Sequence, residues 1–239
     1  MSRPDVIATR TGEVLLKDIL QWDVKSWSVA LHFWNKHVDF SRARRALEIG
    51  SRSGGLTLWT AANGLDTVCS DYVDAAAEPA AALLKSYGLS DRFSFAVVDA
   101  VSIPYENAFD IILFKSVLGG IGANDRADRQ AEALKQMHKA LKPGGILLFA
   151  ENLSASLLHR FFRRRCVGWG SSWRYPTLIE LQRFLAPFAH YEIKTAGFSA
   201  PFGRNEKQRE VLASLDRAAD PVLPSSLKCI ACGHARKSG

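Results

Sequence analysis

The stretch Ala43-Arg44-Arg45-Ala46-Leu47-Glu48-Ile49-Gly50-Ser51-Arg52-Ser53-Gly54-Gly55 decides the fold. A short apolar run, Ala43 to Ile49, breaks on a glycine-rich turn, and a second apolar stretch runs from Leu56 to Ala62. This predicts a strand, a tight turn and a helix. Such a turn aims backbone N–H groups and the positive end of a helix dipole at one point, so Gly50, Ser51, Arg52 and Gly54 mark a nucleotide-type pocket. The dinucleotide pattern G-x-G-x-x-G fits Gly50 and Gly55 but fails at Arg52, where its middle glycine belongs.

Outward from this turn, the chain alternates. Strands are expected at Thr67–Ser70, Phe93–Val98, Phe109–Phe114 and Ile146–Ala150. Two of them, Phe93–Val98 and Phe109–Phe114, are apolar enough to be covered on both faces, as in a parallel sheet. Between the strands, Asp74–Tyr87 reads as a helix stopped by Gly88, with Pro79 in its first turn, and Asp125–Leu141 as a helix stopped by Lys142-Pro143-Gly144-Gly145. Alternation of this kind predicts an α/β fold with a doubly wound, mostly parallel sheet and its site at the C-terminal strand ends. Later segments depart from it: Pro176–Leu185 and Asn205–Ala219 read as helices, and Tyr191–Thr195 and Ser226–His234 as strands, making seven. The expected organisation is one domain: an N-terminal helical cap over 1–42 that includes a helix from Val24 to Val38, a core over 43–151, a basic-aromatic insertion over 152–176, and closing elements over 177–239.

Composition agrees with one sizeable globular unit: 239 residues, 47% hydrophobic and 23% charged, excluding disordered and collagen-like chains. Four cysteines are too few for a disulfide framework, and Met1 to Leu20 has no unbroken apolar stretch of the secretory kind, so a cytoplasmic protein is expected. The net charge of +7 favours anionic partners. It is concentrated between His159 and Arg174, where Arg160, Arg163, Arg164, Arg165 and Arg174 alternate with Phe161, Phe162, Trp169 and Trp173 and no acid intervenes. Arg163, Arg164, Arg165, Trp169 and Arg174 are therefore the candidate substrate contacts, suited to a phosphate or pyrophosphate.

Acids close three neighbouring strands: Glu48, Asp71 and Asp99. Asp71, 21 residues after Gly50, is placed to accept the hydroxyls of a ribose, and the three together favour a cationic cofactor over a pyrophosphate. Taken in order, LEIGSRSGG, SDY, VVDAVSIPYENAFDII and LKPGGILLFAE, spread over Ala46 to Glu151, resemble the class I S-adenosylmethionine-dependent methyltransferases. The resemblance implies S-adenosylmethionine as cofactor and S-adenosylhomocysteine as product. It also implies Glu48-x-Gly50-x-x-x-Gly54 as the cofactor loop with Ser51 and Arg52, Asp71 with Tyr72 at the ribose, and Asp99-Ala100 at the adenine. Trp22 to Trp27, the strand-four exit Phe114 to Gly120 and the arginine-rich insertion are similar to methyltransferases of bacterial surface-polysaccharide clusters, which implies a hydroxyl of a sugar on a nucleotide or lipid-pyrophosphate carrier and contact with a membrane surface. Trp22 and Trp27 would then form a lid over the cofactor, and Lys115 would face the site.

Methyl transfer needs alignment more than side-chain chemistry, but a hydroxyl acceptor benefits from a base. His159, just past the fifth strand, and His32, on the N-terminal helix, are the candidates. The arginine-aromatic segment also suits RNA, although the strand-four exit lacks the Asn/Asp-Pro-Pro-aromatic signature of many base methyltransferases. A nicotinamide oxidoreductase is disfavoured because no tyrosine is followed four residues later by lysine. A cofactor-binding scaffold without activity stays open. No metal site is expected: Cys229 and Cys232 form a lone pair, and residues three apart in a strand point to opposite faces.

Overall fold

The computed structural model describes residues 12–166 and 172–239. In chain order the elements are α1 (Gly12–Leu20), α2 (Val24–His37), β1 (Arg45–Ile49), α3 (Gly55–Ala62), β2 (Asp66–Asp71), α4 (Ala77–Ser86), β3 (Phe93–Val97) and β4 (Phe109–Lys115). They continue with α5 (Leu118–Ile121), α6 (Ala127–Ala140), β5 (Leu141–Asn152), α7 (Leu157–Cys166), α8 (Leu178–Phe184), β6 (His190–Ala196), α9 (Glu206–Ala219) and β7 (Ile230–Arg236). Among the described residues no helix is long and apolar enough to cross a membrane.

The seven strands form one sheet in the order β3-β2-β1-β4-β5-β7-β6. β3 through β5 are mutually parallel, whereas β7 runs antiparallel to both β5 and β6. Because side chains alternate along a strand, each central strand feeds two cores. Ala46, Ile111, Leu113, Ile146 and Leu148 meet α2 and α3, where Trp27, Trp34, Leu56 and Leu58 are buried. Leu47, Ile49, Ile112, Phe114, Leu147 and Phe149 meet α6 and α8 through Leu134, Met137 and Leu181. Burial on both faces is why the central strands read as unbroken apolar runs.

Two strand starts differ from the sequence reading by four residues or more. Hydrogen bonding of β5 begins at Leu141, not Ile146: Phe109 pairs with Leu141 and Ile111 with Ile146, so Lys142 to Gly145 bulge out of a strand that has already started. β7 begins at Ile230, four residues after the expected start at Ser226. As a result Cys229 lies just outside the strand and packs with Cys232 in the same core, so the opposite-face argument for that pair does not hold. α1 falls within the expected N-terminal helical cap, where the sequence reading placed only the helix from Val24 individually. α1 packs so closely on α3 that a Cβ on Gly55 would lie 2.2 Å from the Ile19 carbonyl oxygen.

Candidate functional site

From β1 the chain turns outward to β2 and β3, then crosses back to enter β4 on the other side of β1. The loops after β1 and β4 therefore diverge, the place where open α/β sheets bind ligands. A cavity of about 1080 Å³ opens there, larger than an ordinary ligand pocket and roomy enough for a cofactor and an acceptor together.

One half of the cavity is the glycine turn. Gly50 has φ +66°, and a Cβ there would lie 2.7 Å from Val117 Cγ2, so the position needs glycine on two counts. Arg52 takes the left-handed region itself, at φ +57°, while its exposed side chain remains on the cavity wall. Its backbone N–H donates to Asp71 Oδ2 at 2.8 Å, and Tyr72 N–H donates to Asp71 Oδ1 at 2.8 Å. Each carboxylate oxygen keeps a further lone pair for a ligand hydroxyl. Asp99, Val98 and Ala100 continue the wall from β3; Asp99 Oδ1 accepts from Val101 N–H, and Oδ2 lies 3.5 Å from Arg129.

Glu48 lines the cavity, but its carboxylate is engaged elsewhere. It accepts from Leu56 N–H, Thr57 N–H and the Thr57 hydroxyl, capping the open amides of α3. Burial dominates these bonds and raises its pKa to about 7. Gly54 is absent from the wall and serves as the left-handed N-cap of α3.

The other half was only partly anticipated. Lys115, the last residue of β4, sets its ammonium 4.3 Å from the Trp22 ring and 5.1 Å from the Trp27 ring. Burial between the indoles pushes it down to about 7, opposed by the charges of Glu48 and Asp23. Asp23 is buried at φ +47°, its Oδ1 has no hydrogen-bond partner among the described residues, and burial raises its pKa. Trp22 lines the cavity, whereas Trp27 lies wholly beneath it, edge-on to Trp22 at 5.4 Å. Trp27 is thus a core residue supporting Trp22 and Lys115, which corrects its placement in a lid.

Glu151 was missed, yet it shapes the acceptor side. Fully buried at the end of β5, it accepts from Val117 N–H at 2.8 Å and Leu118 N–H at 2.7 Å, pinning the loop after β4. Burial raises its pKa to about 7. Asn152 Nδ2 then donates to Ser116 Oγ at 2.8 Å, and both face the cavity. Trp173, already noted in the basic-aromatic segment, completes this wall with Tyr175 and Arg209, neither of which had been singled out.

The arginine cluster divides. Arg163 is buried, donates to the Leu153 carbonyl, lies 4.0 Å above the Tyr175 ring and lines the cavity. Arg164 and Arg165, the next two residues of α7, are exposed and face away from it. Arg174 holds α5, α6 and α8 together through Asp125, Gln130, Glu180 and the Gly119 carbonyl, and does not line the cavity. These three are corrected as cavity contacts. Trp169 lies outside the described residues.

Neither histidine reaches the cavity. His159 is buried, with Nε2 2.7 Å from the Phe198 carbonyl and Nδ1 2.8 Å from Ser156 Oγ. A carbonyl only accepts, so Nε2 carries the hydrogen and Nδ1 accepts from the hydroxyl, leaving no lone pair for catalysis. His32 is exposed on α2, its Nδ1 turned to the Ser28 carbonyl. Both are corrected as bases. Away from the cavity, His37, Glu192 and His234 bring ligand-type atoms within 4.8 Å of one another, and Arg236 donates to the His37 carbonyl beside them.

The same fold has counterparts among known proteins. Residues 47–147 match the family model described as a methyltransferase domain. The ubiquinone/menaquinone biosynthesis C-methyltransferase UbiE of Shewanella frigidimarina is 28% identical over 157 residues, 62% of this chain and 60% of that protein. The highly reducing polyketide synthase sor1 of Hypocrea jecorina is 29% identical over 191 residues, 75% of this chain and 7% of that protein. The chain therefore spans less than two thirds of the length of these relatives. Among solved structures, a Haemonchus contortus phosphoethanolamine N-methyltransferase 2 bound to S-adenosylhomocysteine superimposes with a TM-score of 0.63 at 16% identity, covering 100% of this chain and 61% of that one. Over residues 47–147 the chain is thus similar to a methyltransferase domain, and its fold is shared with a protein whose structure holds S-adenosylhomocysteine.

Proposed function

We propose that the chain transfers a methyl group from S-adenosylmethionine to an anionic, hydroxyl-bearing acceptor, a sugar on a nucleotide or lipid-pyrophosphate carrier. The observation that carries this is one cavity with two unlike halves: a glycine turn with Asp71, and a wall bearing Lys115, Asp23, Arg163 and Arg209. The donor set suits the cofactor, since Asp71 has spare lone pairs for the ribose hydroxyls, and Val98 and Ala100 offer an apolar seat beside Asp99 for the adenine. When bound, the cofactor supplies a methyl group on a cationic sulfur.

Arg163 and Arg209 hold the acceptor's anionic group, and Ser116, Asn152 and Tyr175 orient its polar atoms. Holding the nucleophile in line supplies about 7 to 11 kcal/mol of the barrier reduction. With the bound cofactor supplying the methyl group and leaving as its neutral thioether, Lys115 Nζ would take up the acceptor's hydroxyl proton. Lys115 is suited to this because its pKa of about 7 leaves much of it neutral at physiological pH. The curated relative named as a C-methyltransferase favours a second reading, a carbon acceptor activated by losing the proton of an adjacent hydroxyl to the same lysine.

Calorimetric titration with S-adenosylhomocysteine, followed by mass-spectrometric screening of nucleotide sugars, lipid-linked sugars, quinols and RNA, tests the proposal. The expected result is cofactor binding and a gain of one methyl group on a sugar hydroxyl. Methylated quinol carbon would select the second reading. Methylated RNA, or cofactor binding without turnover on any acceptor, would refute both.

A further inference from the structure

The outward face of α7 carries the next inference, because it presents a surface the cavity does not use. The helix is two-sided. His159, Phe162 and Arg163 face inward, with His159 and Phe162 packed on Phe202. Leu157, Leu158 and Phe161 face solvent at 74%, 56% and 62% exposure, and Arg160, Arg164 and Arg165 are exposed around them. Leu157, Arg160, Phe161, Arg164 and Arg165 line one shallow depression. Among the described residues none of these three arginines has a carboxylate partner, and no acid occurs between Asn152 and Arg174.

We infer that α7 docks on an anionic phospholipid surface. Three large apolar side chains on one short exposed face are costly in water and favourable at the headgroup–acyl boundary, and arginines on the same face are what an anionic leaflet attracts. The composition favours lipid over nucleic acid: Leu157 and Leu158 cannot stack on bases, and the one aromatic, Phe161, already lies under the Arg165 guanidinium at 5.4 Å. Position adds to the argument. Arg163, on the opposite side of the same helix, lines the cavity, so docking brings headgroups to within about one helix diameter, about 10 Å, of the acceptor wall. A lipid-borne acceptor would reach the cavity without leaving the surface. The docking itself does not depend on which acceptor is methylated.

Flotation of the full chain with phosphatidylcholine vesicles, with and without phosphatidylglycerol, tests this. Three arginines at the surface predict about a 10²-fold stronger partition onto the anionic vesicles. Leu157→Ser with Phe161→Ser, and separately Arg160→Glu with Arg164→Glu and Arg165→Glu, are each expected to reduce that partition at least tenfold with the melting temperature unchanged. Failure of the wild-type chain to float with anionic vesicles overturns the proposal. So does partition unaltered by the serine pair, which would reduce the contact to charge adsorption, or RNA binding that survives the serine pair in a chain that ignores vesicles.

Discussion

Replacing Lys115 by methionine separates the two roles the cavity gives this residue. The side chain keeps its length and an affinity for the indoles of Trp22 and Trp27, while the ammonium 4.3 Å from the Trp22 ring is removed. In the native chain burial lowers Lys115 from 10.5 to about 7, and each tenfold in proton affinity is about 1.36 kcal/mol, so the buried charge costs at most about 5 kcal/mol. Lys115 keeps part of its surface open to the cavity, and screening reduces this to about 2 kcal/mol. Because the folded pKa is the lower one, the full cost applies below pH 7 and shrinks as pH rises from about 7 towards 10.5. Lys115→Met is therefore expected to raise stability by about 2 kcal/mol at pH 6 and by less at pH 8.5, measured by urea unfolding. Turnover at pH 8 should fall about 10² to 10⁴-fold while affinity for S-adenosylhomocysteine changes little. Wild-type kcat should climb with pH up to about 7 and level off, and the residual rate of the variant should not follow that climb. A variant less stable at pH 6, or one that turns over at the wild-type rate, refutes the reasoning.

Arg52→Gly removes a side chain from a left-handed backbone at φ +57° and should stabilise the chain by about 1 kcal/mol in urea unfolding, with S-adenosylhomocysteine affinity preserved. Asp71→Ala should weaken that affinity about tenfold to 10²-fold in calorimetry, since the proposed ribose acceptor and the anchor of the Arg52 amide are lost together. His159→Ala should cost about 2 to 4 kcal/mol of stability, leaving the Phe198 carbonyl without its donor and a gap beside Phe202, yet the folded fraction should retain full kcat.

The features legible in the sequence are those decided within a few residues. A strand buried on both faces must be apolar throughout, a turn at positive φ favours glycine, and an acid closing a strand sits at the sheet's C-terminal edge, so β1, the turn at Gly50 and Asp71 could be read directly. β5 was harder because Lys142-Pro143-Gly144-Gly145 carries the signature of a turn, while pairing of Leu141 with Phe109 depends on a partner strand about thirty residues away. The arginine cluster misled for a related reason. Along a helix each residue turns about 100° from the last, so Arg163 and Arg164 cannot share a direction, and treating the segment as a loop concealed that.

By itself, the sequence determined the doubly wound sheet, the location of the glycine turn and the excess of positive charge after the fifth strand, because local periodicity and turn chemistry depend on adjacent residues. Only the tertiary structure decided which titratable groups face the cavity. His159 lost its role to a carbonyl 39 residues away, Asp23 was buried with one oxygen unpartnered among the described residues, and Lys115 was brought against two indoles by the packing of the α1–α2 junction against β4. Desolvation and hydrogen-bond partners arrive through space from distant parts of the chain, and they select the reactive group from residues that a sequence alone presents as equivalent.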